Sequence, residues 1–70
     1  MSKKKCTDVE RGEQIIRLLW EGMHMKEIAE QLGLSTKYAR MARMRAERRY
    51  SAKTTAHLMR RALEAGIITL

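Results

Sequence analysis

Apolar residues in this chain recur at three- and four-residue spacing, and β-branched residues never alternate with polar ones over four or more positions. That pattern predicts helices and no strands. Thr7 and Glu10 have the Ser/Thr-x-x-Glu spacing of a capping box, in which each side chain takes up the other's free backbone N–H. A first helix therefore starts near Thr7. Ile15, Ile16, Leu18, Leu19 and Met23 fill one of its faces, and Gly22 is placed to end it in a left-handed conformation. A second helix runs from about Met25 to Gln31, with Ile28, Ala29 and Leu32 as its inner stripe. Its start is weakly signalled. His24 or Met25 stands where Ser, Thr, Asp or Asn would be better by about 1 kcal/mol.

Gly33 then breaks the pattern, and Leu34 follows as an apolar anchor. Ser35 is a good N-cap for a third helix that continues to about Arg49. At about 100° per residue, Ala39, Ala42, Ala46 and Tyr50 fall on one stripe. The alanines allow close packing against neighbours. The opposite face carries Lys37, Arg40, Met41, Met44, Arg45 and Arg48. A fourth helix spans about Thr55 to Ala65, capped by Thr54 or Thr55 and closed by Gly66. Leu58, Met59, Ala62 and Leu63 are its apolar positions, and Ile67, Ile68 and Leu70 form a tail expected to fold back onto the core.

Seventy residues make one small domain with a single core. The net charge of +7 and the pI of about 10.2 point to a polyanionic partner, nucleic acid or anionic lipid. Apolar runs of four residues or fewer exclude a membrane-spanning helix, which needs about 20. The Lys3-Lys4-Lys5 run has no apolar stretch behind it and so does not begin a signal peptide. The single cysteine, Cys6, allows neither an internal disulfide nor a cysteine-based zinc site, which fits a reducing, cytoplasmic setting. His24 and His57 lack ligand or base partners at useful spacing, and there is no length for a deep pocket. A binding module without cofactor or metal is therefore expected, and not an enzyme.

The charge is segregated. From Asp8 to Leu34 three basic residues face six acidic ones, whereas from Ser35 to Arg61 nine basic residues face only Glu47. Six of those nine lie between Lys37 and Arg49, and Lys3, Lys4 and Lys5 add to the positive field. An acidic helix pair supporting a basic helix is the electrostatic layout of a DNA reader. The stretch from Lys26 to Ser35, KEIAEQLGLS, reads as helix, tight turn and helix cap. Gly33 permits the turn between two steeply crossing helices, as in a helix-turn-helix. The helix that follows has polar or basic N-terminal residues free to face a groove, and a partial positive charge suited to phosphate.

At these residues the sequence resembles the LuxR/GerE-type DNA-binding domain, which is also the output domain of NarL-type response regulators. The resemblance covers residues 8 to 68. It rests on Ile15-Ile-Arg-Leu-Leu19, Glu21-Gly22, Lys26-Glu-Ile-Ala29, Leu32, Leu34-Ser35, Lys37, Arg40 and Ala65-Gly-Ile-Ile68. In length the chain is similar to the free-standing GerE type. The resemblance implies an all-α fold of four helices, a third helix that reads DNA, and dimerisation through the fourth. The chain departs from the family pattern at four places. Gly12 follows Arg11 where the family has an Arg-Glu pair, and His24-Met25 replace the usual Ser or Asn cap. Tyr38-Ala39 stand for Thr-Val, and Ser51 stands for a glycine after helix three. Lys26 to Arg49 also resembles the promoter-reading region of sigma factors, but that match gives no account of helix four.

The expected architecture is a four-helix helix-turn-helix domain over residues 7–70 behind a flexible basic arm, residues 1–6. The expected function is that of a homodimeric, sequence-specific transcriptional regulator, nucleoid-associated, that binds double-stranded DNA. Ser35, Thr36, Lys37, Tyr38, Arg40, Met41, Met44, Arg45, Arg48 and Lys53 are the expected DNA contacts, with Lys3, Lys4 and Lys5 following the backbone or a minor groove. Leu58, Met59, Ala62 and Leu63 are the expected dimer interface. Met41 and Met44 stand out on the basic face, since methionine donates no hydrogen bond. They suit contact with thymine methyls, an adaptable protein interface, or a merely tolerated surface position. Trp20 lies at the edge of helix one's apolar face, as a core rim or an interface anchor. His24 and His57 read as surface or cap residues and Cys6 as a free thiol. Two alternatives remain open at this point: an antagonist that binds a LuxR-type or other transcription regulator, and a sigma-like contact with RNA polymerase.

Overall fold

The computed structural model describes residues 7–70, which are all-helical, with no strand among them. The expected arm, with Lys3, Lys4, Lys5 and Cys6, lies outside the described residues. The order is α1 (Asp8–Trp20), α2 (Met25–Leu32), α3 (Thr36–Arg49) and α4 (Thr55–Glu64). Three of the four helices begin at a Ser or Thr cap that the sequence supplies. Thr7 and Glu10 form the reciprocal box, with Glu10 N–H donating to Thr7 Oγ1 at 3.1 Å and Thr7 N–H to Glu10 Oε1 at 3.0 Å. Ser35 Oγ accepts from Tyr38 N–H at 3.0 Å, and Thr54 Oγ1 from His57 N–H at 3.0 Å. At α2 the N-cap is His24, and the Glu27 carboxylate compensates for its weakness by accepting from His24 N–H at 2.9 Å. His57 also serves a turn, its Nδ1 accepting from Lys53 N–H at 3.3 Å.

All four helices end alike. A left-handed residue stands at each end, at the cap itself in α2 (Gly33) and just after it in the others, and the next N–H reaches back five residues to a carbonyl: Met23 to Leu18, Leu34 to Ala29, Ala52 to Glu47 and Ile67 to Ala62. This is the Schellman arrangement, which satisfies the last free carbonyls. Glycine holds the left-handed position at three of the ends. At the end of α3 it is Ser51, with φ of 54°. The sequence departure at Ser51 is thus a side chain in backbone space that favours glycine.

The core has two parts, which share α1 and α3. Ile15, Ile28 and Ala42 join α1, α2 and α3, flanked by half-buried Leu18, Leu19, Met23, Met25 and Leu32. Ile16, Ala46, Leu58, Ala62 and Ile68 join α1, α3, α4 and the tail. Fully burying a side chain such as Ile15, Ile16, Ile28 or Leu58 contributes about 1.5–3 kcal/mol over leaving it exposed. The inner face of α3 is the alanine stripe of Ala39, Ala42 and Ala46, all buried. Opposite Ala46 lies Gly12 of α1, where a Cβ would sit 3.3 Å from Ala46 Cβ and 3.3 Å from Arg49 Nη1. The sequence departure at Gly12 therefore marks a close approach between α1 and α3, at which an added side chain would require Ala46 to give by a few tenths of an ångström and Arg49 to move aside.

Leu58 and Ala62, expected at a dimer interface, are fully buried against Ile16, Ala46 and Ile68 of their own chain. Only Met59 and Leu63 of that set are half-buried, packed at the core edge. The tail folds back as far as Ile68, but Leu70 is fully exposed. What holds the tail is polar as well as apolar. The Trp20 indole N–H donates to the Thr69 carbonyl at 3.2 Å, and Arg17 Nε donates to the Ile67 carbonyl at 3.3 Å. Trp20 is thus a rim residue that pins the tail while remaining 39% exposed. Among the described residues, no helix is long and apolar enough to cross a membrane.

Candidate nucleic-acid interface

The turn between α2 and α3 is Gly33-Leu34-Ser35, three residues. Gly33 is left-handed, with φ of 70°, and Leu34 is half-buried, which redirects the chain onto α3. Ala39, Ala42 and Ala46 then face inward and fix the rotation of α3 about its axis. Helical periodicity puts the remaining positions outward. Lys37, Tyr38, Arg40, Met41, Met44, Arg45 and Arg48 are all exposed, as are Ser35 before them and Lys53 after them. Thr36 is half-buried. From Lys37 to Arg48 the helix extends about 16 Å at 1.5 Å per residue, which matches the reach of four to five stacked bases.

The cations of this region divide by what they touch. Arg43 lies half-buried on the flank of α3, its Nε 3.6 Å from Glu47 Oε2. Glu47 also accepts from the Thr55 hydroxyl at 3.4 Å, so this group ties α3 to α4 and leaves Arg43 outside the open face. Arg49 lies over Gly12, towards α1. Arg45 reaches Asp8 at the start of α1, at 3.7 Å with both side chains about half exposed. A surface pair of that kind is worth about 0–1 kcal/mol, so it is easily exchanged for a phosphate. Lys37, Arg40 and Arg48 take part in no ion pair among the described residues. Glu47 is the only acid in α3, and it faces away from them.

Met41 and Met44 sit in the middle of this basic face, 41% and 47% exposed. With Arg45 and Arg48 they line a shallow depression of about 240 Å³. A second groove of about 270 Å³, on α1 and α2, is lined by Gln14, Arg17, Leu18, Glu21, Gln31 and Leu32 and carries no comparable charge bias. No group of three or more His, Cys, Asp or Glu that could hold a metal occurs among the described residues. Sequence reasoning placed the open face correctly because the alanine stripe fixes its opposite. It missed Gly12 as a determinant of how closely α3 is held, although a glycine mid-helix facing an alanine-rich helix is the available signal. No family model matches the chain, and neither does any curated protein or solved structure.

Proposed function

We propose that this chain is a sequence-specific DNA-binding transcriptional regulator of LuxR/GerE type, with α3 lying in the major groove. The observation that carries this reading is the outward face of α3. Lys37, Arg40 and Arg48 are exposed and unpaired there, on a helix that follows a three-residue turn and is held from behind by alanines. B-DNA's major groove admits an α-helix, and Arg or Lys can bond a guanine edge or a phosphate there. Arg48 and Lys53, farther along, suit the phosphate backbone, and Lys37 and Arg40 suit base edges. The role is binding rather than catalysis, and a cytoplasmic, nucleoid-associated location goes with it. Pairing into a homodimer belongs to the same proposal. Since Leu58 and Ala62 are used inside the chain, Met59 and Leu63 are the α4 positions left to meet a second copy.

The test is a salt-dependent titration of the chain with random duplexes and with duplexes selected from a random pool. A selected site bound about 10³-fold or more above random DNA, with affinity falling steeply as salt rises, supports the reading. Weak binding that salt abolishes and that selection does not improve overturns it, and favours a protein partner for the same face.

A further inference from the structure

We propose that Met41 and Met44 are specificity determinants that read thymine methyl groups, so that the centre of the recognised site contains one or two adjacent thymines. This rests on the reading of α3 as the groove-facing helix and goes beyond it by assigning the base class. Three observations carry it. The two methionines are three residues apart, hence neighbours on one face, about 4.5 Å apart along the axis. They are the apolar part of the lining of the depression they share with Arg45 and Arg48. And they are ringed by cations, with Lys37 and Arg40 before them and Arg45 and Arg48 after them.

The ring of cations chooses the occupant. Methionine and arginine also occur at protein–protein interfaces, but lysine is depleted there, whereas Lys37 and Arg40 stand beside Arg45 and Arg48 on this face and Asp8, paired with Arg45, is the one carboxylate that reaches any of them among the described residues. A polyanion satisfies those groups, and the two methionines must then meet whatever apolar surface the polyanion offers. In the major groove that surface is the C5-methyl of thymine, since guanine, cytosine and adenine display only acceptors and donors there. Methionine donates nothing to an acceptor edge and is at most a weak acceptor for a donor edge. Its flexible, polarisable thioether adapts to a methyl without a fixed geometry. The separation along the helix is close to one base step of about 3.4 Å, which limits the reading to one or two consecutive pairs.

The experiment uses the full chain and a site obtained from random-pool selection. Each thymine of that site is replaced singly by deoxyuridine, which removes the methyl and leaves every hydrogen-bonding edge unchanged. Binding is followed by fluorescence anisotropy at fixed salt. The expected result is a loss of about fourfold for each methyl that is read, the value of burying one carbon, at one position or two adjacent ones. The Met41→Ala/Met44→Ala double variant should bind the thymine and deoxyuridine duplexes equally and keep the wild-type salt dependence. Both positions are exposed, so the variant should fold, and circular dichroism checks this. Wild-type indifference to deoxyuridine at every position overturns the inference and leaves the regulator reading standing. So does persistent discrimination by the double variant. Failure of the unaltered chain to enrich any site overturns the regulator reading itself, and the inference with it.

Discussion

Replacing Ser51 by glycine should raise the stability of the domain, although it removes atoms and adds no contact. Ser51 has φ of 54° at the end of α3, and its N–H bonds the Arg48 carbonyl at 3.2 Å as part of the helix stop. The left-handed region costs a residue with a Cβ about 1–2 kcal/mol. Glycine removes that cost but gives back about 0.4–1 kcal/mol through the greater freedom of the unfolded chain. The net gain is then about 0.5–1 kcal/mol. For 70 residues, an unfolding entropy of about 2.1 cal/mol/K per residue converts this into a rise of about 3–7 °C in Tm. Thermal unfolding followed by circular dichroism measures it directly. Ser51→Val is the companion variant, since a β-branched side chain at positive φ is a genuine outlier, and its Tm should fall. The reasoning is refuted if Ser51→Gly unfolds at or below the temperature of the unaltered chain, or if Ser51→Val matches it.

Arg40→Ala should weaken a selected site by about 1–3 kcal/mol and relax the preference at one base position, as read by competition among single-base variants of the site. Arg48→Ala should weaken all duplexes alike and lower the salt slope by about one, with affinities measured at several salt concentrations as the check. Gly12→Leu places a side chain where a Cβ alone would meet Ala46 and Arg49 at 3.3 Å, and should destabilise the fold by about 1–3 kcal/mol through overpacking in urea unfolding. If the chain pairs through α4 as proposed, the unaltered chain should sediment as a dimer and Met59→Glu as a monomer with the helical circular dichroism preserved; a monomeric unaltered chain at high micromolar concentration refutes the pairing.

The helices and their caps were legible because each depends on residues close in sequence. Thr7 with Glu10, Ser35 with Tyr38 N–H, and Thr54 with His57 N–H are contacts across three positions. The open face of α3 was legible for a related reason: the alanine stripe declares one side of the helix, and the period gives the other. What packs against a buried stripe is a different matter, since periodicity says that a face is covered and not by what. Leu58 and Ala62 therefore read equally well as an interface or a core, and only the approach of Ile16, Ala46 and Ile68 separates the two. The long-range hydrogen bonds from Arg17 and Trp20 to the tail carbonyls had no local signal either, because carbonyl acceptors are the same at every residue.

The division of α3 into an alanine side and an open side has a consequence for how such a chain can change over generations. Ala39, Ala42 and Ala46 support the fold, while Lys37, Arg40, Met41, Met44 and Arg48 face outward and take no part in the core. Substitutions at exposed positions of that kind usually alter stability by no more than about 0.5 kcal/mol in either direction. On the proposed reading of α3, recognition can therefore drift, or be rewritten by design, with little risk to the scaffold. Each outward position can be tested by saturation mutagenesis without first stabilising the domain. The domain is in this sense a holder with an exchangeable face, and retargeting a reader of the proposed kind would be a problem of a few side chains rather than of the whole chain.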